Sequence, residues 1–241
     1  MFGQGIDWKR TIIFILVMIG INTLLNGLGN FDLMGTLLTL PGLVLALTVH
    51  EYSHARMADK LGDPTPEAQG RITLNPLAHL DPVGTICLLF AGFGWGKPVQ
   101  TNPTYYRNPS RDNMLVALAG PVSNIILAFI LFFVWTIVYI FVPLNSLTGI
   151  LFDMLMLGAF INLCLGVFNL LPVPPLDGSK ILSHFVKGKA RKFLWAMEQY
   201  STIIIIILFF TELPSKIIEP VVYWLSNAML TLVTTILGPL L

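Results

Sequence analysis

The longest uncharged stretch of this chain runs for 40 residues, from Asn113 to Phe152. About 20 consecutive apolar residues are enough for a helix to cross the hydrocarbon layer of a bilayer. Charged residues make up only 11% of the 241 residues, against about 25% in a typical soluble domain. These features predict an all-α polytopic membrane protein.

Apolar runs that end at proline, glycine or basic residues predict about six transmembrane helices. They cover residues 11–30, 33–60, 114–142, 147–171, 194–211 and 217–240. Between the second and third spans, Val83–Trp95 is apolar but too short to cross a bilayer, and it predicts a re-entrant or interfacial segment. Residues 94–101, rich in glycine, predict a short hairpin or edge strand.

Lysine and arginine are distributed unevenly among the loops of this layout. If the N-terminus is cytoplasmic, 13 of the 14 Lys and Arg residues lie in cytoplasmic segments, and only Lys216 lies outside. Because basic loops favour the cytoplasmic side, we expect a cell-membrane protein with both termini in the cytoplasm. The net charge of +1 argues against a nucleic-acid partner.

The second predicted span ends in the pattern His50-Glu51-Tyr52-Ser53-His54. On a helix, His50 and His54 lie one turn apart on the same face, close enough to share one metal ion. Glu51 is adjacent to them, where it can act as a base on water. Ionisable side chains inside a membrane helix are functional by default, so we expect a metal site towards the cytoplasmic side.

A catalytic zinc site needs three protein ligands, an open position and a base, and the histidines supply only two of the ligands. The side chains that could supply the third, by residue type, are Asp59, Asp63, Glu67, His79, Asp81, Asp153 and Asp177. We favour Asp177, because it follows a proline-rich helix break, precedes a glycine that permits tight backbone, and lies on the same predicted membrane side as His50. It could instead only cap the next helix. His79 and Asp81 are interpreted as part of a solvated turn.

Two motifs in this order resemble the site-2 protease family of intramembrane zinc metalloproteases: H-E-x-x-H at the end of an apolar helix, and Asn169-Leu-Leu-Pro-Val-Pro-Pro-Leu-Asp-Gly178 about 120 residues later. The residues that match the two family motifs are His50, Glu51, His54, Asn169, Pro172, Asp177 and Gly178. The resemblance implies that the two histidines and Asp177 bind zinc and that Glu51 is the general base.

The stretch Ala119-Gly-Pro-Val-Ser-Asn124 is similar to a further family segment, whose asparagine lies near the active site and the substrate. Asn124 could instead be a hydrogen-bonding contact between helices. Asn169 is expected to hold the backbone near the broken helix, and it could also bind substrate.

The resemblance covers about residues 35–185. It implies a single membrane-embedded protease domain over 1–241, with peripheral helices at 11–30 and 194–240, in the compact form that lacks PDZ and CBS modules. The implied activity is zinc-dependent intramembrane proteolysis, with one Zn²⁺ per chain, in which transmembrane segments of single-pass membrane proteins are cleaved within the lipid bilayer. The alternative is a metal-ion or proton transporter that uses buried histidines and carboxylates. The lack of an inverted repeat and the small number of intramembrane charges argue against it.

Overall fold

The computed structural model describes residues 33–85, 96–143, 145–211 and 213–238. Within these ranges the regular structure is helical, apart from one isolated antiparallel bridge between Leu80 and Gly96. The α-helices with defined bounds are α1 (Leu33–Lys60), α2 (Thr65–Ala68), α3 (Pro109–Phe141), α4 (Ser146–Asn169), α5 (Asp177–Phe185), α6 (Gly188–Glu198), α7 (Ser201–Phe210) and α8 (Leu213–Leu237). Single turns of 3-10 helix lie at Pro76–Ala78 and Pro103–Tyr105.

In the described part of the chain, four helices are long and apolar enough to cross a membrane. The spanning stretches are Met34–Lys60, Pro109–Phe141, Ser146–Asn169 and Lys216–Leu237. They correspond to the second, third, fourth and sixth predicted spans, with ends shifted by a few residues. The chain is therefore a largely helical membrane protein. The first predicted span, 11–30, lies outside the described residues and stays a prediction, and the total of six spans is not confirmed.

The predicted fifth span, 194–211, is wrong as a single helix. The chain forms α6 up to Glu198 and begins α7 only at Ser201. With 10 residues, α7 is about 15 Å long at 1.5 Å per residue, which is about half the thickness of the hydrocarbon layer. The physical reason is that residues 194–198 belong to the charged helix α6. The apolar helix that remains, α7, is too short to cross a bilayer.

In its described residues, the segment between α1 and α3 is mostly irregular. The predicted re-entrant segment Val83–Trp95 lies largely outside the described residues. Residues 97–102 contain neither helix nor strand, and the bridge at Gly96 is the one sheet-like contact that the described residues show here. The short β-segment predicted at 94–101 is therefore not seen as a hairpin or a strand in the described part of it.

Helix α3 lies at the centre of the bundle and packs against α1 and α4, while α8 packs against α3 and α4. The buried apolar cluster that joins α3, α4 and α8 consists of Ala128, Phe132, Ala159, Leu163, Val167 and Val222. Helices α1 and α4 meet at Gly42 and Gly158, where a Cβ on Gly42 would lie 2.5 Å from the Gly158 Cα. Small residues allow membrane helices to approach in this way. Where the histidines of α1 lie against α3, the facing residue of α3 is Gly120.

Candidate metal centre

His50, His54 and Asp177 come together where α1 meets the start of α5. The Nε2 atoms of the two histidines are 3.0 Å apart, and Asp177 Oδ2 lies 3.2 Å from His50 Nε2 and 3.1 Å from His54 Nε2. All three side chains are buried. Ligand atoms about 2.0–2.1 Å from one tetrahedral zinc ion stand about 3.3 Å from each other. The triangle therefore needs to open by only a few tenths of an ångström to fit a zinc ion.

The other ring nitrogen of each histidine faces an acceptor. Asn124 Oδ1 accepts from His50 Nδ1 at 2.6 Å, and the main-chain oxygen of Val116 accepts from His54 Nδ1 at 2.7 Å. These partners place the proton of each neutral ring on Nδ1. Both Nε2 atoms then direct lone pairs towards each other and towards the Asp177 carboxylate. Three converging acceptors repel one another unless a cation lies between them, and two imidazoles with one carboxylate are a set that zinc accepts.

The proline-rich turn after α4 places Asp177 next to the two histidines. The prolines stop α4, and α5 begins at Asp177 itself. A Cβ at Gly178 would overlap the carbonyl oxygens of Leu170 and Leu171. Only glycine therefore lets the start of α5 pack this closely against the turn, as the sequence predicted.

The charge of Asp177 is set by its neighbours. Burial raises the pKa of the Asp177 carboxyl, but His54 and His50, when protonated in the absence of a metal, and the Lys180 ammonium outweigh burial and hold that pKa well below its usual range. Lys180 Nζ is 3.5 Å from Oδ1, the carboxylate oxygen that faces away from the histidines. Asp177 is therefore ionised at neutral pH, which is the form in which a carboxylate binds a metal.

Glu51 lies beside the cluster, at the edge of a cavity of about 160 Å³. The cavity is lined by the three clustered side chains, by Glu51, and by residues of α3, α5 and the segment that precedes α3. Glu51 Oε2 accepts a hydrogen bond from the main-chain N–H of Val99 at 2.8 Å. A polar cavity of this size has room for water, so a carboxylate, a candidate metal cluster and space for water share one cavity.

Buried side chains hold both ends of the segment that carries Val99. At one end Arg71 donates to the carbonyl of Lys97 at 3.4 Å. At the other end Asp63 Oδ2 accepts from the N–H of Asn102 at 2.6 Å. Arg71 and Asp63 are both buried. The Val99 N–H is therefore held in position by contacts on either side of it.

Three asparagines lie in or near the site, and they differ in burial and in hydrogen-bond partners. Asn124 is fully buried and bonded to His50, whereas Asn169 lines the cavity and donates its Nδ2 to the Leu165 carbonyl at 3.0 Å. Asn162 is a site residue that the sequence did not predict. It is fully buried and accepts from Asn124 Nδ2 at 2.9 Å. Its only signal in the sequence is that it is a polar residue in an uncharged run, which does not reveal its partner.

The remaining candidates for a third ligand lie elsewhere. Among the described residues, His50, His54 and Asp177 form the one cluster that could hold a metal ion. Asp59 pairs with a neighbouring arginine at 2.7 Å. The interpretation of a solvated turn is wrong for His79, which is fully buried and bonded to the Thr73 carbonyl at 2.8 Å.

The chain is similar to known proteins over most of its length. YwhC of Bacillus subtilis, which is named a zinc metalloprotease, is 41% identical over 201 residues, or 83% of this chain and 92% of YwhC. Rip2 of Mycolicibacterium smegmatis, also named a zinc metalloprotease, is 30% identical over 193 residues, or 78% of this chain and 72% of Rip2. The model of peptidase family M50 matches residues 137–211. The chain belongs to peptidase family M50. No solved structure matches it with significance.

Family M50 is the site-2 protease family, so the resemblance drawn from the two motifs is confirmed. This M50 protease is a membrane metalloendopeptidase, and its cofactor is zinc. Family membership gives no support to the alternative of a metal-ion or proton transporter.

Proposed function

We propose that this M50 protease is an intramembrane endopeptidase that cleaves the transmembrane segments of single-pass membrane proteins. The depth of the metal cluster supports the proposal. His50 lies ten residues before Lys60, the end of the first described spanning stretch, which is about 15 Å along the helix. Because the two histidines lie within this spanning stretch and not in a loop, we expect a peptide bond that reaches the cluster to lie within the membrane.

His50 and His54, through Nε2, and Asp177, through Oδ2, are the proposed ligands of one Zn²⁺ per chain. When bound, zinc supplies a Lewis acid that activates water and polarises the scissile carbonyl. The Nδ1 hydrogen bonds of the two histidines keep the rings oriented. Zinc-binding histidines generally donate their other ring N–H to an acceptor in this way. The cavity leaves one side of the cluster open to water and substrate.

Glu51 is the proposed general base. Its carboxylate shares the cavity with the cluster, takes the proton from the attacking water, and passes it to the leaving amine. The Val99 N–H occupies one carboxylate oxygen. This bond restricts the rotation of the side chain and leaves the other oxygen to accept the proton.

A transmembrane helix pairs its carbonyls within itself, so a substrate has to unwind before it is cut. The segment 97–102 passes beside Glu51 and has no strand partner among the described residues. We expect it to pair with the unwound substrate as an edge strand, and Asn169, which lines the same cavity, to bind the substrate main chain. The charge distribution of the loops supports a cavity that takes up its water from the cytoplasmic side.

The test is Glu51→Gln in the purified full chain, with a transmembrane substrate. The variant is expected to keep its zinc and to lose cleavage by a factor of about 10²–10⁴, the usual contribution of a general base. Glu67→Gln is the matched control, because Glu67 is exposed on α2, and it is expected to cleave normally. Cleavage by Glu51→Gln at the wild-type rate would refute the assigned role. Cleavage of soluble peptides but of no transmembrane segment would refute the intramembrane function.

A further inference from the structure

A chain of buried amide side chains leads from His50 into the centre of the bundle. Asn124 on α3 presents Oδ1 to His50 Nδ1 at 2.6 Å, and its Nδ2 donates to the Ala46 carbonyl at 3.0 Å and to Asn162 Oδ1 at 2.9 Å. Asn162 on α4 donates its own Nδ2 to the Gly158 carbonyl at 2.8 Å. Both asparagines are fully buried, so water does not compete for these bonds.

The main-chain carbonyls fix the direction of every bond in this chain. Because the Gly158 carbonyl only accepts hydrogen bonds, Asn162 turns its NH₂ group towards it and its oxygen towards Asn124. Asn124 then turns its NH₂ group towards Asn162 and its oxygen towards His50. His50 is left with its proton on Nδ1 and with a lone pair on Nε2. Nε2 is the atom that faces His54 in the metal cluster.

We propose that Asn162 is a positioning residue of the metal site: together with the Ala46 carbonyl it holds the amide of Asn124 and, through Asn124, the tautomer and the ring orientation of His50. The inference rests on the proposed function, because it takes His50 to be a metal ligand. Asn162 belongs to neither of the two motifs that identify the family. Its place in the site comes from the packing of α4 against α3.

A purely structural contact between helices has different consequences. If Asn162 only joins α3 to α4, its loss lowers the stability of the chain but leaves the zinc affinity of the folded chain unchanged. If Asn162 positions His50, its loss lowers zinc affinity, and the loss depends on Asn124. Zinc affinity therefore separates the two roles without reference to activity.

The experiment measures the zinc dissociation constant of the full chain in detergent, by competition with a chelator. Asn162→Leu and the smaller Asn162→Ala each leave one Asn124 N–H unpaired, so that its amide is held less firmly, by the Ala46 carbonyl alone. We expect the dissociation constant to rise about 10- to 100-fold, as for the loss of other outer supports of a metal ligand. In Asn162→Asp, the new carboxyl stays protonated, since it is buried without a cation. It can then donate to Gly158 and accept from Asn124, so we expect zinc affinity close to wild type.

Two further comparisons locate the effect. If Asn162 acts through Asn124, then Asn162→Leu adds no further loss in an Asn124→Leu background, because the two residues form one chain. Thr136→Val is the control for a buried polar group on α3, since the Thr136 hydroxyl bonds to the Phe132 carbonyl of the same helix at 2.9 Å. This control is expected to bind zinc as the wild type does.

Unchanged zinc affinity in both Asn162→Leu and Asn162→Ala would overturn the proposal, and so would losses that simply add to that of Asn124→Leu. An equal loss in Thr136→Val would also overturn it, since the effect would then be a general one. His54→Ala separates this inference from the proposed function. If wild type binds zinc tightly and His54→Ala does not, a failed prediction counts against Asn162 alone. Equal binding by wild type and His54→Ala would overturn the proposed metal site and this inference with it.

Discussion

The substitution Gly120→Ala is expected to weaken zinc binding by at least about 100-fold without unfolding the chain. Gly120 lies on α3 directly against the two histidines of α1. A Cβ at this position would lie 2.6 Å from His54 Cε1 and 2.7 Å from His50 Cε1, and closer still to His54 Nε2. Nonbonded carbon atoms settle about 3.5–4.0 Å apart, so the added methyl group pushes the rings away by roughly 1 Å.

That displacement is large on the scale of a metal site, where ligand distances hold to about 0.2 Å. The rings cannot withdraw freely, because each is held at Nδ1 by its hydrogen bond to α3. Loss of one outer support typically costs 10- to 100-fold in metal affinity or activity. With two ligands displaced at once, we expect zinc affinity to fall by at least about 100-fold. The fold itself gains helix propensity, since alanine is favoured over glycine by about 1 kcal/mol inside a helix.

The assay is zinc content and chelator competition on purified protein, with thermal unfolding of the metal-free chain as the check on folding. Gly149→Ala is the matched control, because it makes the same change within α4 where a Cβ meets nothing within 4 Å. It is expected to keep both zinc and activity. If Gly120→Ala also binds zinc tightly and cleaves substrate, then the histidines do not pack against α3 as described, and the reasoning fails.

Two further substitutions test the surroundings of the site. Val99→Pro removes the N–H that bonds Glu51, a charge-assisted bond worth about 1.5–3 kcal/mol. We expect kcat to fall about 10- to 100-fold with zinc content unchanged, whereas Val99→Ala keeps the N–H and activity; equal rates for the two variants would rule out this role for the bond. Gly42→Ala is expected to lower the melting temperature more than Gly158→Ala, because a Cβ on Gly42 would lie 2.5 Å from backbone while one on Gly158 would have its nearest contact at 3.4 Å. Equal melting temperatures would contradict the close helix crossing.

The metal cluster contains one part that a local pattern predicts and one part that depends on the fold. His50 and His54 are four residues apart, so helix periodicity alone places them on one face. Asp177 is 123 residues from His54, and only the proline-rich turn, the glycine after it and the predicted membrane side indicate it in the sequence. The bond from Val99 to Glu51 could not be predicted, because a main-chain N–H has no sequence signature. Asn162 lies 38 residues from its partner, and nothing in its local sequence indicates that partner.

The membrane spans likewise include some that the local sequence predicts and one that it does not. The apolar runs predict α1, α3, α4 and α8 to within a few residues, because a helix that crosses a bilayer needs a minimum apolar length. The prediction for 194–211 failed because the end of the charged helix α6 was joined to the short apolar helix α7. The break between them lies at Gln199 and Tyr200, neither of which is a proline or a glycine that would mark a helix end in the sequence.

The most direct test of the metal centre is anomalous diffraction at the zinc absorption edge from crystals of the zinc-loaded wild-type chain. The account predicts one anomalous peak per chain, with His50 Nε2, His54 Nε2 and Asp177 Oδ2 as its protein ligands. A peak coordinated by other side chains, or one whose third protein ligand is not Asp177, would contradict it.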